Sequence, residues 1–139
     1  MKALKRIMLV EDEPALRMVA KVALEKVGGF EVLVCESGAD AIMHYVGFAP
    51  DLILLDVMMP IIDGPTTLSS MRQMHPEGMV PVVFLTAKVQ SKEVQELLSL
   101  GAVGVLPKPF DPMLLSKQVE ELWVRHHKRV SSKGVSDVG

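Results

Sequence analysis

The chain has one cysteine, few aromatic residues (4%), little net charge and no long apolar run among its 139 residues. Each shortage excludes something. A single thiol, Cys35, cannot close an internal disulfide. Its place in an apolar, strand-like run reads as a reduced core residue of a cytoplasmic protein. With few aromatics, the core has to be built from Leu, Val, Ile, Met and Ala. The formal charge of -2, with acids and bases mixed along the chain, offers no field for wrapping nucleic acid and no polybasic membrane anchor. The basic start leads into an apolar run that stops at Glu11. That run is too short for a secretion signal, and no segment approaches a membrane span.

What is present points to one domain. Nearly half the residues are apolar (49%), enough for a sizeable core and too many for a disordered chain. The most informative stretch is Asp51 to Pro60. Leu52 to Leu55 is apolar without alternation, as expected of a strand covered on both faces, and it ends in Asp56. Pro60 argues against a helix there. Asp56 is therefore expected where a buried parallel strand leaves its sheet, the edge at which ligands bind in open α/β sheets.

The same pattern recurs along the chain. Ile7 to Val10 runs into Glu11, Asp12 and Glu13, and Pro14 suits the first turn of a helix. Leu16, Val19, Ala20, Ala23 and Val27 are spaced for one buried face, and Gly28-Gly29 ends the helix. Val32 to Cys35 reads as the second strand. Ser37 caps the next helix with Asp40 as a loose capping box, and Ala41, Ile42, Tyr45 and Val46 lie inward. After the third strand, Asp63-Gly64-Pro65 turns into a helix carrying Leu68, Met71 and Met74.

Val82 to Leu85 is a fourth strand ending at Thr86. Ser91 opens a helix with Val94, Leu97 and Leu98 inward, closed by Gly101. Val103 to Leu106 is a fifth strand, followed by Pro107-Lys108-Pro109. Asp111-Pro112 starts the last helix, with Leu115, Val119, Leu122 and Trp123 on its apolar side. From Ser131 the periodicity is lost, so residues 1–130 read as the domain and 131–139 as a disordered tail. Regular alternation with short connections predicts an α/β fold: a doubly wound, five-stranded parallel sheet with five helices on its two faces.

In such a sheet all strand ends share one edge. That edge collects Glu11, Asp12, Asp56, Thr86 and Lys108. Three close carboxylates repel one another unless a cation joins them, and a hard divalent ion such as Mg²⁺ suits oxygen ligands. A carboxylate can also be a nucleophile toward phosphorus. Asp56 is the natural acceptor, with Lys108 to neutralise charge and Thr86 to hydrogen-bond a phosphoryl oxygen. Singly, each group has a plainer reading: an acidic helix start, a cap, a solvated lysine. All of these holding together is improbable. His44, His75 and the adjacent His126-His127 read as ordinary helix residues.

At these residues the sequence resembles the receiver domain of two-component response regulators. The resemblance rests on Val10-Glu11-Asp12-Glu13-Pro14, Leu55-Asp56-Val57-Met58-Met59-Pro60 with Asp63-Gly64, Phe84-Leu85-Thr86-Ala87, and Leu106-Pro107-Lys108-Pro109-Phe110. It runs from about Lys5 to about Lys128. It implies a flavodoxin-like (βα)5 fold and a histidine kinase or phosphotransfer protein donating a phosphoryl group to Asp56. Mg²⁺ would be held by Asp12, Asp56 and the backbone carbonyl of Met58, with Glu11 acting through water. Lys108 would pair with the phosphoryl group, and the bond before Pro109 would be cis. Thr86 would be drawn toward the phosphate, changing the face of the fourth helix, fifth strand and fifth helix that meets a protein effector. Homodimers through the last helices are a family expectation; direct nucleic-acid or membrane contact is not. Val105 departs from the pattern, for the family usually has Tyr or Phe there. Two other readings stay open: a receiver-like scaffold that binds partners without phosphorylation, and an aspartyl-phosphate hydrolase. The hydrolase lacks support, because no second Asp follows Asp56 by two residues and no cap insertion is present.

Overall fold

A computed structural model describes residues 2–138, with side chains through Val130. Five parallel strands form one sheet: β1 (Arg6–Val10), β2 (Glu31–Cys35), β3 (Leu52–Asp56), β4 (Val82–Thr86) and β5 (Gly104–Pro107). Five helices connect and flank them: α1 (Pro14–Val22), α2 (Gly38–Phe48), α3 (Gly64–Met74), α4 (Ser91–Ser99) and α5 (Leu115–Val138). The strand order is β2-β1-β3-β4-β5. This is the expected flavodoxin-like α/β arrangement. The tail expected from Ser131 lies outside the residues whose side chains are described.

Period-two alternation divides the central strands between two cores. Ile7, Leu9, Leu52, Leu54, Val83 and Leu85 face Ala20, Leu24, Leu115, Val119 and Trp123 of the first and last helical segments. Met8, Val10, Ile53, Leu55, Val82 and Phe84 face Ala41, Leu68, Met71 and Leu97 of α2, α3 and α4. With both faces covered, every residue of β3 is buried, which is why its sequence shows no polar alternation. The chain runs from β1 outward to β2, then crosses to β3 and continues the other way. The carboxyl ends of β1 and β3 therefore bracket the crevice where the winding reverses.

Local differences from the expected elements have physical causes. The first helix widens into a π-helical turn over Ala23–Val27. The N–H of Gly28 donates to the Ala23 carbonyl at 3.4 Å, and the buried Ser116 hydroxyl donates to that same oxygen at 3.2 Å. The buried stripe is Ala20, Ala23 and Leu24, whereas Val19 and Val27 are about half exposed. Apolar residues occupy more than one side of this helix, so spacing alone finds Ala20 and Ala23 but not Leu24. Val46 and Met74, expected inward, are largely exposed as well. Ser37 Oγ accepts from the Asp40 N–H as expected, but the Asp40 carboxylate reaches the N–H of Glu36 rather than that of the cap residue. β5 is displaced by one residue to Gly104–Pro107, and a turn accepting on Asp111 precedes α5.

The N-terminal edge of the sheet is pinned by Asp51. Its Oδ2 accepts the backbone N–H groups of Lys5 at 3.0 Å and Arg6 at 2.9 Å, and its Oδ1 meets the Lys2 ammonium at 2.8 Å. Burial opposes its charge, but Lys2 and the two N–H donors outweigh burial and hold Asp51 below the usual carboxylate range. The resulting stability is complete above the unfolded value of about 3.9 and is lost as pH falls through the folded value. Asp51→Asn should cost roughly 1–3 kcal/mol at pH 7, with the gap to wild type closing below about pH 3.9. Urea unfolding at pH 7 and pH 3.5 checks this; a gap independent of pH would contradict it. At the end of α2, Ala49 adopts a left-handed conformation, φ 52°. Ala49→Gly should therefore raise stability by about 0.5–1 kcal/mol, read as a higher urea midpoint.

Candidate functional site

The ends of β1, β3, β4 and β5 bring five expected residues to one edge. Glu11 follows β1, and its N–H donates to the Cys35 carbonyl of β2 at 3.0 Å. Asp56 is the last residue of β3 and Thr86 the last of β4. Lys108 follows β5; its N–H donates to the Thr86 carbonyl at 2.9 Å, and the Lys108–Pro109 peptide is cis, as expected.

The Lys108 ammonium lies between two acids, 2.7 Å from Asp56 Oδ1 and 2.8 Å from Glu11 Oε1. The Glu11 and Asp56 side chains are 1% and 2% exposed, so both charges are taken out of water. Burial raises the Glu11 carboxyl, the adjoining Asp56 raises it further, and Lys108 only partly opposes this; the result is pushed up to about 7. Burial works against the Lys108 charge, yet its contacts with Asp56 and Glu11 hold it above the usual lysine range.

Two carboxylate oxygens at this edge, Glu11 Oε1 and Asp56 Oδ2, are buried without a hydrogen-bond partner among the described residues. Glu11 Oε1 still has the Lys108 charge beside it; Asp56 Oδ2 has no such contact. One carboxylate oxygen from each of Glu11, Asp12 and Asp56 lies within 4.8 Å of the others. Orphaned buried oxygens among clustered acids are a donor set that suits a hard cation.

A second cluster, Cys35, Asp40 and His44, also brings ligand types together. Its groups are otherwise engaged. The Asp40 carboxylate accepts from Glu36, the His44 ring bonds the Asp40 carbonyl, and burial pushes the Cys35 thiol up to about 12. A surface hollow of about 560 Å³ runs along Lys117, Glu120 and Val124 of α5 and is lined by none of the strand-end groups.

Thr86 is buried, and its hydroxyl accepts the Lys88 N–H at 3.0 Å. As a donor it has no protein partner among the described residues. Met58 is exposed in the loop after β3, and Ile61, fully exposed there, has φ 71°. Val105 pairs in register with Phe84 and packs half-buried against the second core.

Two contributors escaped the sequence reading. Arg17 of α1 donates to the carbonyls of Glu11 and Asp12 at 3.0 and 3.2 Å. A basic residue in the turn after the acids is a signal, but nothing in the sequence names its carbonyl targets. Gly64 was read as a turn residue. It lets α3 start against β3, where a Cβ would fall 2.4 Å from the Asp56 carbonyl oxygen and 3.0 Å from Val57 Cα.

Fold and site together define a class, and the comparisons agree. The chain belongs to the response regulator receiver domain family, whose model matches residues 7–120. It is 37% identical over 124 residues to the transcriptional regulatory protein CpxR of Escherichia coli, covering 89% of this chain and 51% of that protein. It is 36% identical over 118 residues to the sensor kinase CckA of Brucella abortus, covering 84% of this chain and 12% of that one. Among solved structures it resembles the Vibrio cholerae chemotaxis protein CheY4, with TM-score 0.78 and 28% identity over 86% of this chain and 99% of that one. It likewise resembles the Francisella response regulator 1452 receiver domain, with TM-score 0.77 and 26% identity over 88% and 98%. The chain spans about half or less of the length of the curated relatives it matches. Membership implies two-component partners such as histidine kinases, and receiver domains are typically signalling modules rather than enzymes. No helix of the described residues is long and apolar enough to cross a membrane.

Gly64→Ala should destabilise the fold by roughly 1–3 kcal/mol, because the added methyl meets backbone that cannot yield. Thermal unfolding checks this. Wild-type stability would show that the start of α3 gives way without cost.

Proposed function

We propose that this receiver is a phosphorylation switch, with Asp56 as the acceptor of a phosphoryl group from a histidine kinase or phosphotransfer protein in the cytoplasm. The observation that carries the reading is the Asp56 carboxylate. One oxygen is held by Lys108, while the other is buried without a hydrogen-bond partner. In the transfer, the bond from the donor's histidine nitrogen to phosphorus breaks as a bond from an Asp56 oxygen forms. The electron pair leaves with the imidazole.

Most of the assistance is positioning and charge neutralisation. Lys108, already between Glu11 and Asp56, follows the new charge onto the phosphoryl oxygens. The Thr86 hydroxyl, which has a proton to give, becomes a donor to one of them. Asp12, Asp56 and the Met58 carbonyl would hold Mg²⁺, with Glu11 acting through water. The ion would supply the rest of the positive charge.

The switch follows from differential contacts. Thr86 and Lys108 gain acceptors only in the phosphorylated state, and a conformational change is favoured by no more than that difference. The output would reach a protein effector through the face of α4, β5 and α5. Val105 gives that face a compact aliphatic side chain where receivers usually carry a swinging aromatic ring. The signal would then run through Thr86 and the loop after β4 more than through β5. A scaffold working without phosphorylation is the second reading, and Val105 is the observation that favours it.

Intact-mass measurement after incubation with acetyl phosphate, with and without Mg²⁺, tests the assignment. Wild type should gain one phosphoryl group that depends on Mg²⁺, and Asp56→Asn should gain none. A wild type that takes no adduct and binds no beryllofluoride would sink the switch and leave the scaffold.

A further inference from the structure

We propose that Arg17 is a positioning residue of the acidic loop, holding its backbone so that the carboxylates of Glu11 and Asp12 stay presented to a cation. The inference rests on the phosphorylation reading above and extends it to a residue that touches none of the reacting atoms.

Arg17 leaves α1 one turn beyond the loop and folds back over it. Its Nη1 donates to two successive carbonyls, Glu11 at 3.0 Å and Asp12 at 3.2 Å. Its Nη2 lies 3.6 Å from Glu36 Oε1 at the end of β2. The side chain is only 17% exposed, whereas Glu36 is 75% exposed. An ion pair that long, with one partner in water, is worth little and does not account for burying a guanidinium. The two carbonyls do account for it, because charge-assisted bonds to backbone are the stronger contacts.

The choice of target matters. The loop carries Glu11, Asp12 and Glu13 in a row, and a nearby cation would ordinarily pair with a carboxylate. Arg17 binds the carbonyls instead. It places a fixed positive charge beside the acids without occupying any carboxylate oxygen a metal would use. Lys108 does the opposite, resting on the carboxylates of Glu11 and Asp56. The loop is thus fixed at the Glu11 N–H by Cys35 and at the next two carbonyls by Arg17. Of Glu11 and Asp12, Glu11 then rests on Lys108, while an Asp12 carboxylate oxygen stays within 4.8 Å of one from Glu11 and one from Asp56 for a cation. Lysine has a shorter stem and one nitrogen. It could reach the carbonyls but could not hold them and approach Glu36 together.

The test uses the full chain as wild type, Arg17→Ala, Arg17→Met, Arg17→Lys and Glu36→Ala. Mg²⁺ affinity is measured by calorimetry on the unphosphorylated protein, and thermal unfolding is measured in EDTA. Arg17→Ala should weaken Mg²⁺ binding roughly 10-fold, as loss of an outer-shell partner does. Arg17→Lys should recover part of that loss, and Glu36→Ala should stay within about two-fold of wild type. Should Arg17→Ala fail to fold, Arg17→Met, which keeps the stem and removes the donors, carries the test, and wild-type affinity in that variant overturns the proposal. An Arg17→Ala protein with a lower metal-free melting temperature but unchanged Mg²⁺ affinity assigns a merely structural role and also overturns it. Wild type that binds Mg²⁺ and takes phosphate, beside Arg17 variants that bind equally well, removes the Arg17 proposal alone. Wild type that does neither removes the reading beneath it.

Discussion

The ammonium of Lys108 sits between two carboxylates that have almost no contact with water, and the functional edge of the sheet depends on that contact. Glu11 and Asp56 leave different strands, and Lys108 follows a third, so one ionic cluster joins β1, β3 and β5. Removing charges from water is expensive, and a buried pair repays it only with good geometry. Here the geometry is good at one oxygen of each acid, while Asp56 Oδ2 is left without a hydrogen-bond partner among the described residues. A core optimised only for stability would not keep such an oxygen. The fold tolerates the cost because two separate cores support the strands from both faces.

Around that cluster the backbone is fixed by contacts outside it. The Cys35 carbonyl and the Arg17 guanidinium hold the loop after β1. Gly64 lets α3 close against the end of β3, and Asp63 caps that helix by accepting the Thr66 N–H at 2.8 Å. At the opposite edge Asp51 ties the start of β3 to the residues entering β1. Some of these contacts join near neighbours in the sequence and others join residues more than forty apart, and together they turn a set of strand ends into a set of distances.

Sequence reading recovered what periodicity and chain punctuation encode. An apolar run ending in a polar residue marked each chemically important strand end, and the shared edge of a parallel sheet then brought Glu11, Asp12, Asp56, Thr86 and Lys108 together. It failed where more than one solution satisfies the pattern. The first helix is apolar on several sides, so spacing finds Ala20 and Ala23 but adds the half-exposed Val19 and Val27 and misses Leu24. The π-helical turn is invisible to a fixed helical period, and its spare acceptor at Ala23 is met by Ser116, some ninety residues later in the chain. Arg17 was passed over because a side chain that binds carbonyls leaves no compositional trace on its partners.

Because β3 is buried along its whole length, it cannot shift to make room for a bulkier group at Asp56. It behaves as an anvil. Any volume or charge added at its tip has to be absorbed by the parts that can give way, namely the loops after β3 and β4 and the side chains they carry. The fold thereby sets a strand tip packed on both faces beside exposed loops, and under the proposed switch a group added at the first would be sensed at the second.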